Sequence, residues 1–446
     1  MITRIVGWAA GVFQTIERSG DPLPPGPVLV VANHPNSLLD PLVIFRVAGR
    51  PTRPLAKAPL FEQKFVGTLL RGLGGLPVYR AADDPTQMHR NEETFRGAID
   101  ALRRGDAVQI YPEGRSHSEP ALAPLRTGAA RIAIGAEEQA DWRLGLRIVP
   151  VGLTFHRKNL FRGRALAIIG EAFTIDDLRE LHETDPVAAV RQLTQQIMNR
   201  LEAVTVNVAE HRDADLIDTA ERLYVRERGT AGWRERDALA ERVPRLRVFA
   251  RGLAWLREND GPRHQRLARS VARYRRRAEL LGAQDGDVPP RYTFGATLRY
   301  VLVEGYLLLL FAPVALVGSF IWYPAYYAPR ITLRAARPDH AAVATYKLAT
   351  AFVTVPATVI AGIVIGAIID GARGAALAAV LVPLVGFMTL AWHDRLGRVR
   401  EDARLFFRVL MKKDSSERLA RDRAALAGEF DAIISESGVL HPATRE

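Results

Sequence analysis

Three long uncharged stretches in the C-terminal third most constrain what this chain can fold into. They cover Gly305–Ala328, Leu348–Ile369 and Gly374–Trp392, which are 24, 22 and 19 residues long. A helix needs about 20 apolar residues to cross the hydrocarbon core of a bilayer. Only Asp370–Arg373 separates the last two stretches, so we predict that they form a tight helical hairpin that spans the membrane.

The charges that flank this hairpin predict its orientation. Lysine and arginine are dense in His393–Arg423 and also precede the hairpin, whereas the turn is nearly neutral. The positive-inside rule therefore places both flanks in the cytoplasm. Pro313 and Pro324 interrupt the hydrogen bonding of the first stretch. We predict that residues 305–328 are re-entrant or interfacial; the alternative is three full spans with an exported N-terminal region.

The first 172 residues predict an α/β fold. Short apolar runs alternate with segments of helical spacing, namely Asn91–Arg104 and Thr127–Glu138. This alternation favours a mixed sheet flanked by helices. The predicted buried strands are Pro27–Ala32, Ala107–Tyr111, Ile148–Thr154 and Leu166–Ile169.

Composition and the spacing of apolar residues divide the rest of the chain into three further regions. Residues 173–293 are rich in Arg, Glu, Ala and Leu with helical spacing, which favours a helical insert or lid. A membrane region over 294–397 and a basic cytoplasmic tail over 398–446 follow. The cluster Arg273, Arg275, Arg276 and Arg277 is consistent with a nucleic-acid surface, although a charged helix face is the commoner explanation.

Composition leaves several partners open. The formal net charge of +12 suits nucleic acid, an anionic membrane surface or acidic substrates equally well. The chain has no cysteine, which excludes disulfides, thiolate metal sites and a cysteine acyl-enzyme intermediate. Met1–Arg18 is weakly amphipathic and fits either the first helix of a domain or a helix on the membrane surface.

The strongest local signal is the end of the first apolar run, where Leu29–Ala32 is followed by Asn33, His34 and Pro35, with Asp40 shortly after. A histidine at the mouth of a sheet is well placed for proton transfer, because its unperturbed pKa near ~6.5 suits a base at neutral pH. A nearby carboxylate can fix the ring tautomer and stabilise the imidazolium. Alone, the pair also fits a structural histidine in a loop.

Three further turns follow in order, each punctuated by Gly or Pro. They are Gly75–Arg80, Tyr111–Ser116 and Ile148–Leu153. Glu113 and Gly114 directly follow an apolar strand, which puts a carboxylate and exposed backbone at the rim of the sheet. Guanidinium groups suit phosphate binding, and three lie in or near these turns: Arg80, Arg115 and Arg126.

This order of motifs resembles the glycerophospholipid (PlsC-like) acyltransferase family over residues 10–172. The resemblance implies that His34 is the general base and Asp40 its orienting partner. It also implies that Arg80, Glu113 and Gly114 shape an acceptor and phosphate site, with Ser116 beside it. Arg126 stands where the family often has a lysine. The substrate-binding residues expected on this basis are Asn33, Arg80, Glu113, Gly114, Arg115, Ser116 and Arg126.

One spacing departs from the common family pattern. Five residues separate His34 from Asp40 here, whereas the family usually has four. On a regular helix this would turn Asp40 away from the usual face. The longer spacing resembles that of the fungal-type glycerol-3-phosphate and dihydroxyacetone-phosphate acyltransferases and their bacterial relatives. Those proteins are also similar in carrying a long helical insert and C-terminal membrane segments.

The resemblance implies transfer of a fatty acyl chain from acyl-CoA or acyl-carrier protein to glycerol-3-phosphate or lysophosphatidate. The thioester is a co-substrate; no further cofactor and no metal site are expected. Expected partners are membrane lipids, the acyl thioester donor and the phosphate-bearing glycerol acceptor, and not nucleic acid. The expected location is the inner (cytoplasmic) membrane with the catalytic domain on the cytoplasmic side. The alternative is a membrane-tethered lipid-binding protein with an inactive acyltransferase domain.

Overall fold

A computed structural model describes residues 7, 11, 14–80, 85–117, 119–156, 163–208, 211–228, 239–280, 294–336, 343–411 and 413–438. The chain divides into two compact units. The first comprises residues 1–211, 237–244 and 339–345, and the second comprises residues 212–236, 245–338 and 346–446. Each unit has its own architecture.

The first unit is built on a seven-stranded mixed sheet. Its strands are β1 (Gln14–Ser19), β2 (Val28–Ala32), β3 (Thr52–Lys57), β4 (Leu76–Val78), β5 (Ala107–Ile110), β6 (Arg147–His156) and β7 (Gly163–Ile169). They lie in the order β1-β7-β6-β2-β5-β3-β4. All neighbours are parallel except β6 and β7. The central strand β2 therefore ends beside β5 and β6, and loops after these three strands meet at one edge.

Helices cover both faces of this sheet. They are α1 (Leu39–Val47), α2 (Pro59–Glu62), α3 (Lys64–Gly72), α4 (Asn91–Arg103), α5 (Gly128–Glu138), α6 (Arg179–Thr184) and α7 (Pro186–Val204), with 3₁₀ turns at Pro85–Arg90 and Asp176–Leu178. Leu29 and Val31 of β2 share one apolar cluster with residues of α4, α5 and α7. Val28 and Val30 point the other way, into a cluster with residues of α1. The buried strand is apolar on both faces because helices cover both.

The fold class predicted from the sequence is confirmed. β3 and β4 were not among the predicted strands, and two predicted ranges differ from the structure. Residues 14–19 form the edge strand β1, paired in parallel with β7, so the interpretation of Met1–Arg18 as one helix is wrong over Gln14–Arg18. The second difference concerns α7, which lies in the range predicted as a helical insert or lid. Leu193, Ile197 and Leu201 are instead buried in the core of the sheet. The apolar stripe of α7 thus packs on the sheet and on α5, so α7 belongs to the first unit.

The second unit contains a helical bundle. Its helices are α8 (His211–Arg228), most of α9 (Leu239–Asn259), α10 (Gly261–Leu280) and α13 (Lys413–Ser437). The ring of Phe249 on α9 stacks edge-on against Tyr224 of α8 and Phe430 of α13. Arg263 of α10 bonds to Glu429 at 2.7 Å and to Glu436 at 2.6 Å. Part of the range predicted as a basic tail, 413–437, is thus a helix packed into this bundle.

Two long apolar helices complete the second unit, α11 (Phe294–Ala336) and α12 (Val343–Met411). Leu298–Ala336 and Ala349–Arg404 are long and apolar enough to cross a membrane, and their most apolar windows are 11% and 0% buried. Trp392 donates to the carbonyl oxygen of Leu308 at 2.8 Å, which packs α11 against the second half of α12. Such outward-facing apolar surface indicates association with a membrane.

α12 contains the turn expected between the two predicted spans. Its backbone leaves helical geometry at Asp370 and Gly371, where Gly371 has φ of +53°. A Cβ on Gly366 would lie 2.4 Å from the carbonyl oxygen of Gly374, so glycine is required for this close approach. The two halves of α12 therefore pack against each other as a hairpin. The re-entrant or interfacial depth of residues 305–328 stays a prediction.

Candidate active site

The site is centred on His34, two residues beyond the end of β2. Its ring Nδ1 lies 2.7 Å from Oδ2 of Asp40. The Asp40 side chain is fully buried, whereas the His34 side chain is 20% exposed. A carboxylate only accepts hydrogen bonds, so this contact assigns the ring proton to Nδ1. The remaining nitrogen, Nε2, is then the one that can take up a proton.

The loop between His34 and Asp40 explains how the longer spacing still forms this pair. Helix α1 begins only at Leu39, so Asp40 lies in its first turn and the preceding residues are free to curve. Ser37 adopts φ of +47°, a left-handed conformation that is uncommon for a residue with a side chain. The peptide N–H of Asn36 also donates to Asp40 Oδ2 at 2.8 Å. The chain therefore brings Asp40 to His34 despite the extra residue.

Tyr111 packs flat against the His34 ring. The two ring centroids are 4.2 Å apart and the planes are inclined by 18°. The Tyr111 hydroxyl donates to Gln109 Oε1 at 3.3 Å. Burial, and secondarily the charge of Asp40, raises the pKa of Tyr111 well above its usual value. Tyr111 thus remains a neutral phenol that supports the imidazole.

Glu113 is a buried carboxylate that holds the backbone around His34. Its Oε1 accepts the peptide N–H of His34 at 2.8 Å. Its Oε2 accepts the peptide N–H of Ala123 at 2.8 Å and also bonds to the ring Nε2 of His117. All three contacts are with the protein. The resemblance implies that Glu113 shapes the acceptor site, which stays a prediction; in this structure its contacts fix the loop that carries His34.

Three arginines, Arg80, Arg115 and Arg126, lie on or near Gly114, and we call them the arginine rim. Gly114 has φ of +71°, and a Cβ there would lie 2.6 Å from Nε of Arg126. Arg80 approaches from another loop, with Nη1 at 3.5 Å from the Gly114 carbonyl oxygen. Arg115 and Arg126 are exposed and Arg80 is half-buried. Two guanidinium groups thus flank one glycine at the mouth of the site, in an arrangement suited to a phosphate.

Two other predicted residues act within the scaffold. Asn33 Oδ1 accepts a hydrogen bond from the peptide N–H of Leu153 at 2.6 Å, and Asn33 Nδ2 donates to the Leu153 carbonyl oxygen at 3.0 Å. The side-chain amide therefore joins the loop after β2 to β6. Ser116 Oγ accepts the peptide N–H of Ser37 at 2.9 Å, which joins the loop after β5 to the start of α1. Whether either residue also contacts substrate stays a prediction.

Sequence reasoning missed Tyr111 as a ring partner and His117 altogether. Tyr111 sits directly before the Pro-Glu-Gly turn, and an aromatic residue there is a usable signal. His117 lies four residues after Glu113, a spacing that brings side chains together on a helix, but this segment is not helical. Among the described residues, no group of three or more His, Asp or Glu side chains is arranged to hold a metal ion.

A family model matches the part of the chain that carries this site. The family model described as "Acyltransferase" matches residues 15–154, which include β1 to β5, most of β6 and the residues around His34. Residues 15–154 of the chain thus match an acyltransferase domain. The matched segment contains every candidate site residue described above.

Curated relatives also match part of the chain. The chain is 31% identical over 248 residues to glycerol-3-phosphate O-acyltransferase 2 of Saccharomyces cerevisiae, covering 54% of this chain and 32% of the yeast protein. It is 28% identical over 151 residues to 1-acyl-sn-glycerol-3-phosphate acyltransferase of Bacillus subtilis, covering 33% of this chain and 67% of that protein. The chain thus spans about one third of the yeast relative.

A solved structure is also similar to part of the chain. The 1-acyl-sn-glycerophosphate acyltransferase PlsC from Thermotoga maritima shares 18% identity, with a TM-score of 0.34. The similarity covers 44% of this chain and 77% of that one.

Proposed function

We propose that this protein transfers a fatty acyl chain from acyl-CoA or acyl-carrier protein to a hydroxyl of glycerol-3-phosphate or lysophosphatidate, with His34 as general base. The observation that carries the proposal is the His34–Asp40 pair at the edge of an acyltransferase domain. The names of the relatives support a phosphate-bearing glycerol acceptor.

The proton transfer follows from the ring geometry. Because Asp40 engages Nδ1, Nε2 accepts the proton of the acceptor hydroxyl as its oxygen attacks the thioester carbonyl carbon. Asp40 stabilises the imidazolium that forms. As the tetrahedral intermediate collapses, the carbon–sulfur bond breaks and Nε2 returns the proton to the leaving thiolate. His34 ends the cycle neutral, and no covalent enzyme intermediate is required.

The arginine rim supports binding of the acceptor phosphate. Arg80 and Arg126 meet at Gly114, and a phosphate held there would be fixed by charge-assisted hydrogen bonds. Exposed arginines at a mouth suit a ligand that arrives from water or from the membrane surface. Arg115, which is exposed next to Gly114, would add to the positive field.

The two apolar helices support a location in the inner membrane, with the acyltransferase domain on the cytoplasmic side. A membrane-bound enzyme can release its acylated product directly into lipid. That route avoids exposing the chain to water, which costs about 0.8 kcal/mol per CH₂. The basic flanks of the α12 hairpin agree with this orientation.

An acceptor panel tests the proposed reaction. Purified protein in detergent would be given radiolabelled acyl-CoA or acyl-carrier protein with glycerol-3-phosphate, dihydroxyacetone phosphate, lysophosphatidate or glycerol. We expect acceptor-dependent product with glycerol-3-phosphate or lysophosphatidate and none with glycerol, which lacks the phosphate. The His34→Ala variant serves as the blank. Equal, zero turnover by wild type and variant with every pair would instead favour a lipid-binding protein with an inactive domain.

A further inference from the structure

His117 closes a ring of hydrogen bonds around the backbone of His34. The peptide N–H of His34 donates to Glu113 Oε1 at 2.8 Å. The other oxygen of Glu113 bonds to the His117 ring. The peptide N–H of His117 then donates back to the carbonyl oxygen of His34 at 3.1 Å. Both main-chain polar groups of His34 are therefore held by this one pair of residues.

The His117 ring can fill this role in only one tautomer. Its Nδ1 accepts the peptide N–H of Glu119 at 3.2 Å, so the proton of the neutral ring lies on Nε2. That proton is the donor to Glu113. The side chain of His117 is 11% exposed and that of Glu113 is 1% exposed. A carboxylate this buried needs its donors, since an unsatisfied buried charge is strongly unfavourable.

We propose that His117 is a positioning residue for the base: through Glu113 it fixes the main chain of His34 and so the alignment of the His34 ring with Asp40. This inference rests on the proposed function, in which His34 takes up the proton. His117 itself contacts no reacting atom. Its effect is therefore on turnover, because a misplacement of about 1 Å in a reacting group can cost about 10²-fold in rate.

Substitutions at residue 117 separate the hydrogen bond from mere filling of space. His117→Gln keeps an N–H donor at about the position of Nε2. His117→Leu keeps the bulk of the side chain without a donor, and the side chain in His117→Asn is too short for its N–H donor to reach Glu113. His89→Leu is the matched control, since His89 is exposed on the 3₁₀ turn Pro85–Arg90. Each variant would be assayed as the full chain in detergent after its thermal unfolding has been checked.

We expect His117→Leu and His117→Asn to lower kcat by about 10- to 100-fold with KM values for both substrates changed less than about threefold. His117→Gln should recover to within about threefold of wild type, and His89→Leu should not differ from it. In a Glu113→Gln background, His117→Leu should add little, because the two residues act as a unit. Equal activities of the Gln and Leu variants, or a change confined to KM, would overturn the proposal.

Amide hydrogen exchange of His34 gives a readout that needs no turnover. If His117 supports the bond from the His34 peptide N–H to Glu113, His117→Leu should speed exchange at that amide at least tenfold, while His117→Gln and His89→Leu leave it unchanged. An inactive wild type showing this pattern would refute the proposed function, although His117 would still be shown to fix the main chain of His34. Unchanged exchange in His117→Leu would refute the positioning role whatever the activity.

Discussion

The two halves of the candidate site are held with very different tightness. On one side, His34, Asp40 and Glu113 join through hydrogen bonds of 2.7–2.8 Å, and both carboxylates are buried. On the other side, the arginines around Gly114 are exposed or half-buried, and the Arg80 contact is 3.5 Å long. Under the proposed function, this difference means that the groups for proton transfer are preorganised, whereas the arginines that would bind the phosphate can adjust to it.

This comparison has a kinetic form. Substitutions in the buried half should lower kcat, because they disturb groups that act in the transition state. Substitutions in the arginine rim should mainly raise KM for the acceptor, because they remove binding that ground state and transition state share.

Loss of the base should give the largest effect. His34→Ala removes the group that takes up the hydroxyl proton, so we expect kcat to fall by about 10²–10⁴-fold with acceptor KM nearly unchanged. Initial rates over a range of acceptor concentrations measure both parameters. A variant that kept more than about a tenth of wild-type kcat would contradict the assignment of His34 as the base.

Asp40→Asn should have the next largest effect. The amide can present its NH₂ to His34, which would place the ring proton on Nε2 and remove the base. Asparagine also lacks the charge that stabilises the imidazolium. We expect a loss of about 10²-fold or more in kcat. The control is Asp106→Asn, because Asp106 directly precedes β5 and its carboxylate forms a salt bridge with Arg53. Equal behaviour of the two variants would contradict a role for Asp40 in proton transfer.

The arginine rim should respond in KM. Arg80→Gln and Arg126→Gln should each raise acceptor KM by about tenfold, and kcat should change less than about threefold, because each removes one charged contact to phosphate. Arg143→Gln is the control, since Arg143 is exposed in a turn between α5 and β6. If kcat fell while the acceptor KM stayed unchanged, the arginines would act in the chemical step. The arginine rim and the buried groups around His34 would then not have separate roles.

Tyr111 should matter for its ring and not for its hydroxyl. Its pKa is raised, so the phenol stays protonated below pH 10 and cannot supply the alkaline limb of a pH–rate profile. Tyr111→Phe keeps the ring that stacks on His34, and we expect kcat within about twofold of wild type with the alkaline limb unmoved. A shift of that limb in the variant would assign a proton-transfer role to Tyr111 instead.

Much of the sheet could be predicted from the sequence. Four strands follow runs that are apolar on consecutive residues, and Val28–Ala32, Ala107–Ile110, Arg147–His156 and Gly163–Ile169 confirm them. Three strands were missed, namely Gln14–Ser19, Thr52–Lys57 and Leu76–Val78. Polar residues interrupt the first two, and the third has only three residues. The pairing of Gln14–Ser19 with β7 depends on long-range register, which local sequence does not encode.

The candidate site shows the same limit. His34 and Asp40 could be singled out by residue type and order, but their contact depends on the left-handed turn at Ser37, which no local pattern announces. His117 was missed because its role depends on two hydrogen bonds, one to the Glu113 carboxylate and one to the carbonyl oxygen of His34, which is remote in sequence. Groups that act through other groups are visible only once the loops have met.

Chemical rescue of the His34→Ala variant by imidazole tests whether His34 is the base. Imidazole added to the His34→Ala variant can occupy the space left by the side chain and accept the hydroxyl proton in its place. We expect the rate of acyl transfer to rise with the concentration of neutral imidazole, whether that concentration is changed by the amount added or by pH. The rescued reaction should still require the phosphate of the acceptor. An imidazole-independent rate in a folded variant that binds the acceptor normally would contradict the assignment of His34 as the base.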